Sequence, residues 1–228
     1  MITELTAQDT QRHALARVLF EEDVALAVYN PLANPPRPFS AELACLSPNA
    51  VEKRQREFAA GRAAAHAAMG DLGYPAQPVL VGDKRAPIWP KGLTGSITHT
   101  RSCAMAVLAR SDNLRGLGID VEEDTPLKND LLPAICSERE QAWLKSQSNP
   151  GQLAKVIFSA KEAAYKCQYT LSQRFFGFDG MELELDLAQG RFQARLTAEQ
   201  PPFARGATFD GQFAVGAGVI VTAAELRN

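Results

Sequence analysis

The sequence predicts an α+β fold of two pseudo-symmetric lobes, each a helix packed on a small, mostly antiparallel sheet, with the functional site at their interface. Three observations carry this. Two stretches, about 50–69 and 152–169, have the length and composition of long helices. Each is followed by a small set of short strand-like runs. "CAMAVLA" (103–109) and "QFAVGAGVIV" (212–221) occupy matching places in the two halves, although identity between the halves is too low to define a repeat. The seam is expected near Gly116–Asp124, dividing the chain into lobes 1–117 and 118–228.

The first 50 residues carry few signals. "VALAVYN" (Val24–Asn30) reads as a strand, and "NPLANPPRPF", with four prolines, as an extended loop. Ser47 is a plausible N-cap for the first long helix, and Gly70 and Gly73 supply its stop. "GDKRAPIWPKGLTG" is punctuated by proline and glycine and reads as a loop. "SITHT", "CAMAVLAR" and "RGLGIDVEE" follow as strands. A helical region over about 130–145 is broken by "SNPG", and "QLAKVIFSAKEAAYKCQY" is the second long helix. "GMELELDL", "RFQARLT" and "GQFAVGAGVIVTA" read as the remaining strands.

Bulk properties exclude several classes. The chain has 228 residues, 46% hydrophobic and 22% charged, enough for a sizeable core. A net charge of −2 gives no global reason to bind nucleic acid or an anionic membrane. The four cysteines form no C-x-x-C pair, so a reduced, cytoplasmic compartment is expected. "MITELTAQDTQRH" has no basic and apolar leader pattern, and no run approaches the roughly 18 apolar residues of a membrane span.

Four groups of residues could carry chemistry. In "GLGIDVEE", Asp120 and Glu122 share one strand face while Glu123 takes the other. Such a pair suits a hard cation such as Mg²⁺; it also occurs as an ordinary solvated strand end. In "FSAKEAAYK", Glu162 and Lys166 are i, i+4 neighbours with Lys161 on an adjacent face. A surface ion pair has the same pattern, but Phe158, Ala160, Ala163, Ala164 and Tyr165 leave little of this helix freely solvated. In "GSITHT", Thr98 and Thr100 share one face and His99 the other, and no second histidine is spaced for zinc. Lys53, Arg54, Arg56 and Arg62 lie on the first long helix, followed by Lys84 and Arg85. Arg62, inside "AAGRAAAHAA", needs an anionic partner, either carboxylate or phosphate.

In order, "EFAAGRAAA", "KRAPIWPKGLTGSITHT", "GLGIDVE" and "FSAKEAAYK" closely resemble the 4′-phosphopantetheinyl transferases, over about Lys53–Lys166. The larger monomeric type is the match, and "WPKGLTGSITH" points to the branch that activates enterobactin synthetase. The resemblance implies transfer of the 4′-phosphopantetheine arm of coenzyme A to a serine of an apo acyl or peptidyl carrier protein. Adenosine 3′,5′-bisphosphate leaves, Mg²⁺ is required, and coenzyme A lies between the lobes. By the same resemblance Asp120, Glu122 and Glu162 hold Mg²⁺, and Glu162, or a water it orients, is the base for the carrier serine. Lys166 binds phosphate and stabilises the leaving group, with Lys161 assisting. Arg62 and His99 contact the 3′-phosphate with Arg54, Lys84 and Arg85 nearby, and Thr98 hydrogen-bonds coenzyme A. Thr98, Ala163 and Tyr165 replace the residues commonest at those places, and none of these changes removes a metal carboxylate. "CQYTLSQRFFGF" (167–178), with Arg174 beside Phe175 and Phe176, is a candidate surface for acidic carriers, though both rings also suit a core. The alternatives are a Mg²⁺-dependent phosphohydrolase acting on a nucleotide, against which the missing glycine-rich phosphate loop counts, and a non-catalytic carrier-binding module. A single copy of each half fits a monomer.

Overall fold

The computed structural model describes residues 6–228; the first five positions of the N-terminal stretch, where no leader is expected, lie outside the described residues. The chain opens with a helix the sequence reading did not anticipate, α1 (Ala7–Arg17), started by a capping box between Thr6 and Asp9. Strand β1 (Ala25–Tyr29), the short helix α2 (Ser40–Leu43) and the long helix α3 (Glu52–Asp71) follow. Ser47 does not cap α3. Its Oγ accepts from the Asn49 N–H at 3.3 Å in the preceding turn, and Val51 is the cap without a side-chain bond. Gly73, at φ +77°, supplies the left-handed turn after the helix.

The expected loop over 82–95 begins as the turn of a two-stranded hairpin, β2 (Leu80–Val81) with β3 (Pro87–Ile88). Next come β4 (Leu93–His99), β5 (Ala104–Arg110) and β6 (Leu114–Glu123). The helical region near 130–145 is two pieces, α4 (Leu132–Ile135) and α5 (Glu138–Leu144), because Cys136, in extended backbone, ends one and Ser137 caps the other. Pro150 opens α6 (Pro150–Ser172), where proline's missing N–H costs nothing. Strands β7 (Met181–Asp186), β8 (Arg191–Leu196), β9 (Thr208–Gly216) and β10 (Val219–Arg227) complete the chain. The run read as one strand over 211–223 is a hairpin, turned at Ala217 and Gly218, both with positive φ.

The α+β expectation holds, and the two-lobe pattern is visible in strand order. One sheet runs β1-β5-β4 and the other β6-β10-β9-β8-β7, all antiparallel, with β2–β3 separate. Exchanging β1, β5 and β4 for β6, β10 and β9 maps one order onto the other, and β2–β3 then stands where β7–β8 stand. The partition drawn between 117 and 118 runs through β6, whose pairing with β10 begins at Leu114. Leu26, Val28, Met105 and Val107 of the first sheet share a core with Leu117, Ile119, Val121, Val219 and Val221 of the second, sealed by Ala16, Leu19 and Phe20. Helix α3 covers the other face of the first sheet through Ala64, Ala65, Ala68 and Met69. Helix α6 covers the second through Ala154, Ile157, Ala160, Ala164 and Cys167.

The glycines of "GLGID" have a packing reason. A Cβ on Gly118 would lie 2.0 Å from the Ala163 carbonyl oxygen, and one on Gly116 2.4 Å from that of Cys167. The backbone of α6 therefore rests directly on β6. Gly116, Gly118, Asp120 and Glu122 alternate onto the same face, so the contact that requires glycine also aims both carboxylates at α6. Among the described residues no helix is long and apolar enough to cross a membrane.

Candidate active site

A cleft of about 1050 Å³ lies between the lobes. Its walls include Arg54 and Arg62 from α3, Lys84 and Arg85 from the β2–β3 turn, Thr98 and His99 from β4, Asp120 from β6, and Glu162 and Lys166 from α6. Nine of the eleven sequence-predicted site residues are thus brought to one cavity. Lys84 and Arg85 are consecutive non-glycine residues with φ of 51° and 65°, so the tip of the hairpin is strained where it borders the cleft.

Asp120 is held from three directions. Thr98 Oγ1 donates to its Oδ1 at 3.0 Å, Lys166 Nζ donates to the same oxygen at 2.7 Å, and Ser159 Oγ donates to its Oδ2 at 2.9 Å. Lys166 also donates to the Ile119 carbonyl at 3.1 Å, which leaves one ammonium proton for an anion. Glu162 is half-buried. Burial lifts its carboxyl above the usual range, Lys166 opposes this and Asp120 adds to it. Glu122 is raised by burial and by Asp120, against the pull of Lys155.

Two predicted residues lie outside the cleft. Lys161 is 2% exposed, and its three protons go to Glu140 Oε2 at 2.8 Å, the Ile135 carbonyl at 2.8 Å and the Phe178 carbonyl at 3.2 Å. With no donor left it cannot assist at a phosphate; it sits about 100° around α6 from Glu162 and faces the core. Glu122 shares Asp120's face but is joined to Lys155 Nζ at 3.3 Å, beyond the cleft lining. Thr98, expected to bond coenzyme A, donates its only proton to Asp120 and accepts from the Val121 N–H at 3.1 Å.

His99 is similarly engaged. Arg54 donates to its Nε2 at 2.9 Å; a guanidinium can only donate, so the ring proton sits on Nδ1, 3.8 Å from Glu57 Oε2. Burial lowers its pKa, Glu57 opposes this, and Arg54 and Lys166 lower it further. Arg62 lies over the Phe58 ring at 4.3 Å and 3.8 Å from Glu42, and its buried Nε has no hydrogen-bond partner. The Nε is the atom that faces the Glu42 carboxylate, so Glu42 is its counter-charge, and the Arg62 side chain also borders the cleft. Phe175 and Phe176 take both roles allowed to them: Phe175 is 67% exposed with Lys84 Nζ 5.4 Å from its ring centre, while Phe176 packs on the core.

Several functional neighbours escaped the sequence reading: Ser159, Lys155, Glu57 and Glu42. A signal existed for the first two. Lys155, Ser159, Glu162 and Lys166 are spaced i, i+4, i+7, i+11, one polar stripe along an otherwise apolar helix. Glu42 and Glu57 had no local signal.

The donor chemistry fits Mg²⁺. Asp120 and Glu162 present carboxylates to one cleft and repel each other there, a strain that a cation relieves. Among the described residues no three His, Cys, Asp or Glu side chains converge as a self-sufficient metal centre. The expected trio of Asp120, Glu122 and Glu162 is therefore not assembled; Mg²⁺ is commonly bound through one or two carboxylates with phosphate oxygens and water completing the octahedron, and Asp120 and Glu162 are the two that share the cleft.

Comparison with known proteins bears on the same residues. A family model described as 4′-phosphopantetheinyl transferase N-terminal domain matches residues 41–109, and one described as 4′-phosphopantetheinyl transferase superfamily matches 116–217. The 4′-phosphopantetheinyl transferase PptT of Mycobacterium tuberculosis is 34% identical over 221 residues, covering 92% of this chain and 94% of that protein. The chain belongs to the 4′-phosphopantetheinyl transferases. The transferase Svp of Streptomyces mobaraensis is 38% identical over 179 residues, 76% of this chain and 73% of its own. Enterobactin synthase component D of Salmonella typhi is 41% identical over 121 residues, 52% of this chain and 50% of its own. As a phosphopantetheinyl transferase, the protein moves the 4′-phosphopantetheine of coenzyme A onto a carrier-protein serine.

Proposed function

We propose that the two lobes divide this transfer between them, the N-terminal lobe (1–117) holding the 3′-phosphate and adenine side of coenzyme A and the C-terminal lobe (118–228) the metal and reacting groups. Arg54, Arg62, Lys84, Arg85 and His99 on the first side supply the cationic and hydrogen-bonding wall. Asp120 and Glu162 on the second hold Mg²⁺, with Glu122 next to them on the same strand face. Mg²⁺ held there would neutralise the diphosphate and polarise the phosphorus under attack. The carrier serine oxygen attacks the phosphorus that bears pantetheine, and its proton passes to Glu162 or to a water Glu162 orients. The bond to adenosine 3′,5′-bisphosphate breaks, and Lys166 balances the charge growing on that leaving group.

The single supporting observation is that Asp120, Glu162 and Lys166 line the same cleft as the arginines of the opposite lobe, from positions up to 112 residues apart in the chain (Arg54 to Lys166, 166 − 54 = 112). An acidic carrier would dock beside it on Phe175, Arg174 and Lys84, where exposed apolar and basic surface adjoin. One copy of each lobe supports a monomer, and cysteine usage supports the cytoplasm. The test is to weigh apo acyl and peptidyl carriers after incubation with the protein, coenzyme A and Mg²⁺. One carrier gains a phosphopantetheine with wild type; Glu162→Gln slows this about 10²–10⁴-fold, as expected for loss of a general base. No mass gain on either carrier overturns the proposal.

A further inference from the structure

We propose that Thr98 and Ser159 are positioning residues that clamp Asp120 from opposite lobes, so that the aim of the metal-binding carboxylate is set by a contact across the seam between them. The inference rests on the reading of Asp120 as a metal ligand. Its own ground is geometric. β6 is an edge strand of its sheet, and an N–H on a free edge needs a partner. The Val121 N–H finds one in Thr98 Oγ1 of the other lobe, at 3.1 Å, and the same hydroxyl donates to Asp120 Oδ1 at 3.0 Å. One side chain therefore joins the lobes and sets the carboxylate's rotation. From the other side Ser159 Oγ, fully buried, donates to Asp120 Oδ2 at 2.9 Å and is 3.0 Å from Thr222 Oγ1. Thr222 in turn donates to the Ser159 carbonyl at 2.8 Å, which ties the clamp to β10 and α6. Oδ1 already accepts from Thr98 and Lys166, so the lone pair left for a cation is on Oδ2, in a carboxylate whose plane is fixed.

Ser159 makes the idea separable from a direct ligand contact, because it does not border the cleft and cannot touch coenzyme A. If both hydroxyls act through Asp120, their removal has one signature. Thr98→Val and Ser159→Ala are each compared with wild type in three measurements: calorimetric binding of coenzyme A without metal, Mn²⁺ binding to the coenzyme A complex by electron paramagnetic resonance, and the Mg²⁺ concentration for half-maximal turnover. Metal-free coenzyme A binding is expected to stay within about twofold. Mn²⁺ affinity falls and the Mg²⁺ requirement rises by about 10–100-fold in both variants, the usual consequence of losing a partner behind a metal ligand. The double variant is less than additive, because both act on one carboxylate. Thr98→Ser restores the wild-type metal response and shows that the hydroxyl, and not the fold, is responsible. The proposal is overturned if Thr98→Val weakens metal-free coenzyme A binding more than tenfold with Mn²⁺ affinity unchanged, or if Ser159→Ala leaves the metal response untouched. Failure of the underlying metal reading is seen separately, as wild-type protein whose complex binds no Mn²⁺.

Discussion

The two lobes contain the same buried acid in the same place and finish it differently. In the N-terminal lobe Glu42, 0% exposed, accepts from the Phe39 N–H at the start of its own short helix at 2.8 Å and from the Val79 N–H at 2.8 Å. In the C-terminal lobe Glu140 accepts from the Ser137 N–H at the start of α5 at 2.7 Å and from the Leu183 N–H at 2.7 Å. Each acid then meets the long helix. Glu140 meets Lys161, whose remaining protons go to carbonyls, so that node is closed. Glu42 meets His66 at 2.9 Å and Arg62 Nε at 3.8 Å, a looser node whose arginine also lines the cleft. One duplicated device is sealed in the core; the other has its arginine on the wall of the cleft. The lesson concerns placement: a buried cation whose donors are all matched in the core is architecture, and one whose side chain borders a cavity is available to a ligand.

This contrast can be broken, and the largest effect is expected at the closed node. Lys161→Met leaves the Glu140 carboxylate buried without its cation, which costs about 3–5 kcal/mol of stability. Urea unfolding will show it, and turnover per folded molecule is retained. His66→Ala, the counterpart, costs less, because Glu42 keeps two backbone N–H bonds and a guanidinium nearby. Arg62→Ala should behave in the opposite way to Lys161→Met: coenzyme A binding, followed by calorimetry, weakens roughly 10–100-fold, as for loss of a hydrogen bond to a charged group. The unfolding midpoint moves little by comparison.

The glycine contacts sharpen the comparison at slightly smaller cost. Gly118→Ala drives a methyl into the Ala163 carbonyl and should destabilise by about 1–3 kcal/mol while moving Glu162 and Lys166 away from Asp120. In the other lobe an added Cβ on Gly61 meets only the Ile97 Cγ2 end at 2.9 Å, a side chain that can give, so Gly61→Ala is milder on the same unfolding assay.

The smallest effect is a pH dependence at His99. Its folded-state pKa lies below the ordinary 6.5, through burial first, opposed by Glu57 and deepened by Arg54 and Lys166. A depressed value means that its contribution to stability is present above pH 6.5 and is lost as pH falls through the depressed pKa. Urea midpoints between pH 5 and 8 should therefore decline on the acid side, and His99→Asn should flatten that limb.

Much of this was legible in the linear chain. Strand alternation in "GLGIDVEE" put Asp120 and Glu122 on one face, and helical spacing in "FSAKEAAYK" put Glu162 and Lys166 on another, because both follow from backbone geometry within a few residues. The same rule could not say what those faces meet. Lys161 and Glu162 are adjacent, equally polar letters, yet one is sealed against Glu140, 21 residues away, and the other opens on the cleft. Thr98 looked like a ligand contact until its hydroxyl met Asp120 and Val121 across the seam. Glu42 carried no signal, since its partners Arg62, His66 and Val79 are 20, 24 and 37 residues distant. Family, reaction and the faces of the acidic residues belonged to the sequence by itself, through local periodicity and motif. Which donors are matched inside the protein, and which remain for a ligand, was decided only by tertiary packing, because hydrogen-bond partners are chosen by proximity in space and spacing along a chain does not encode it.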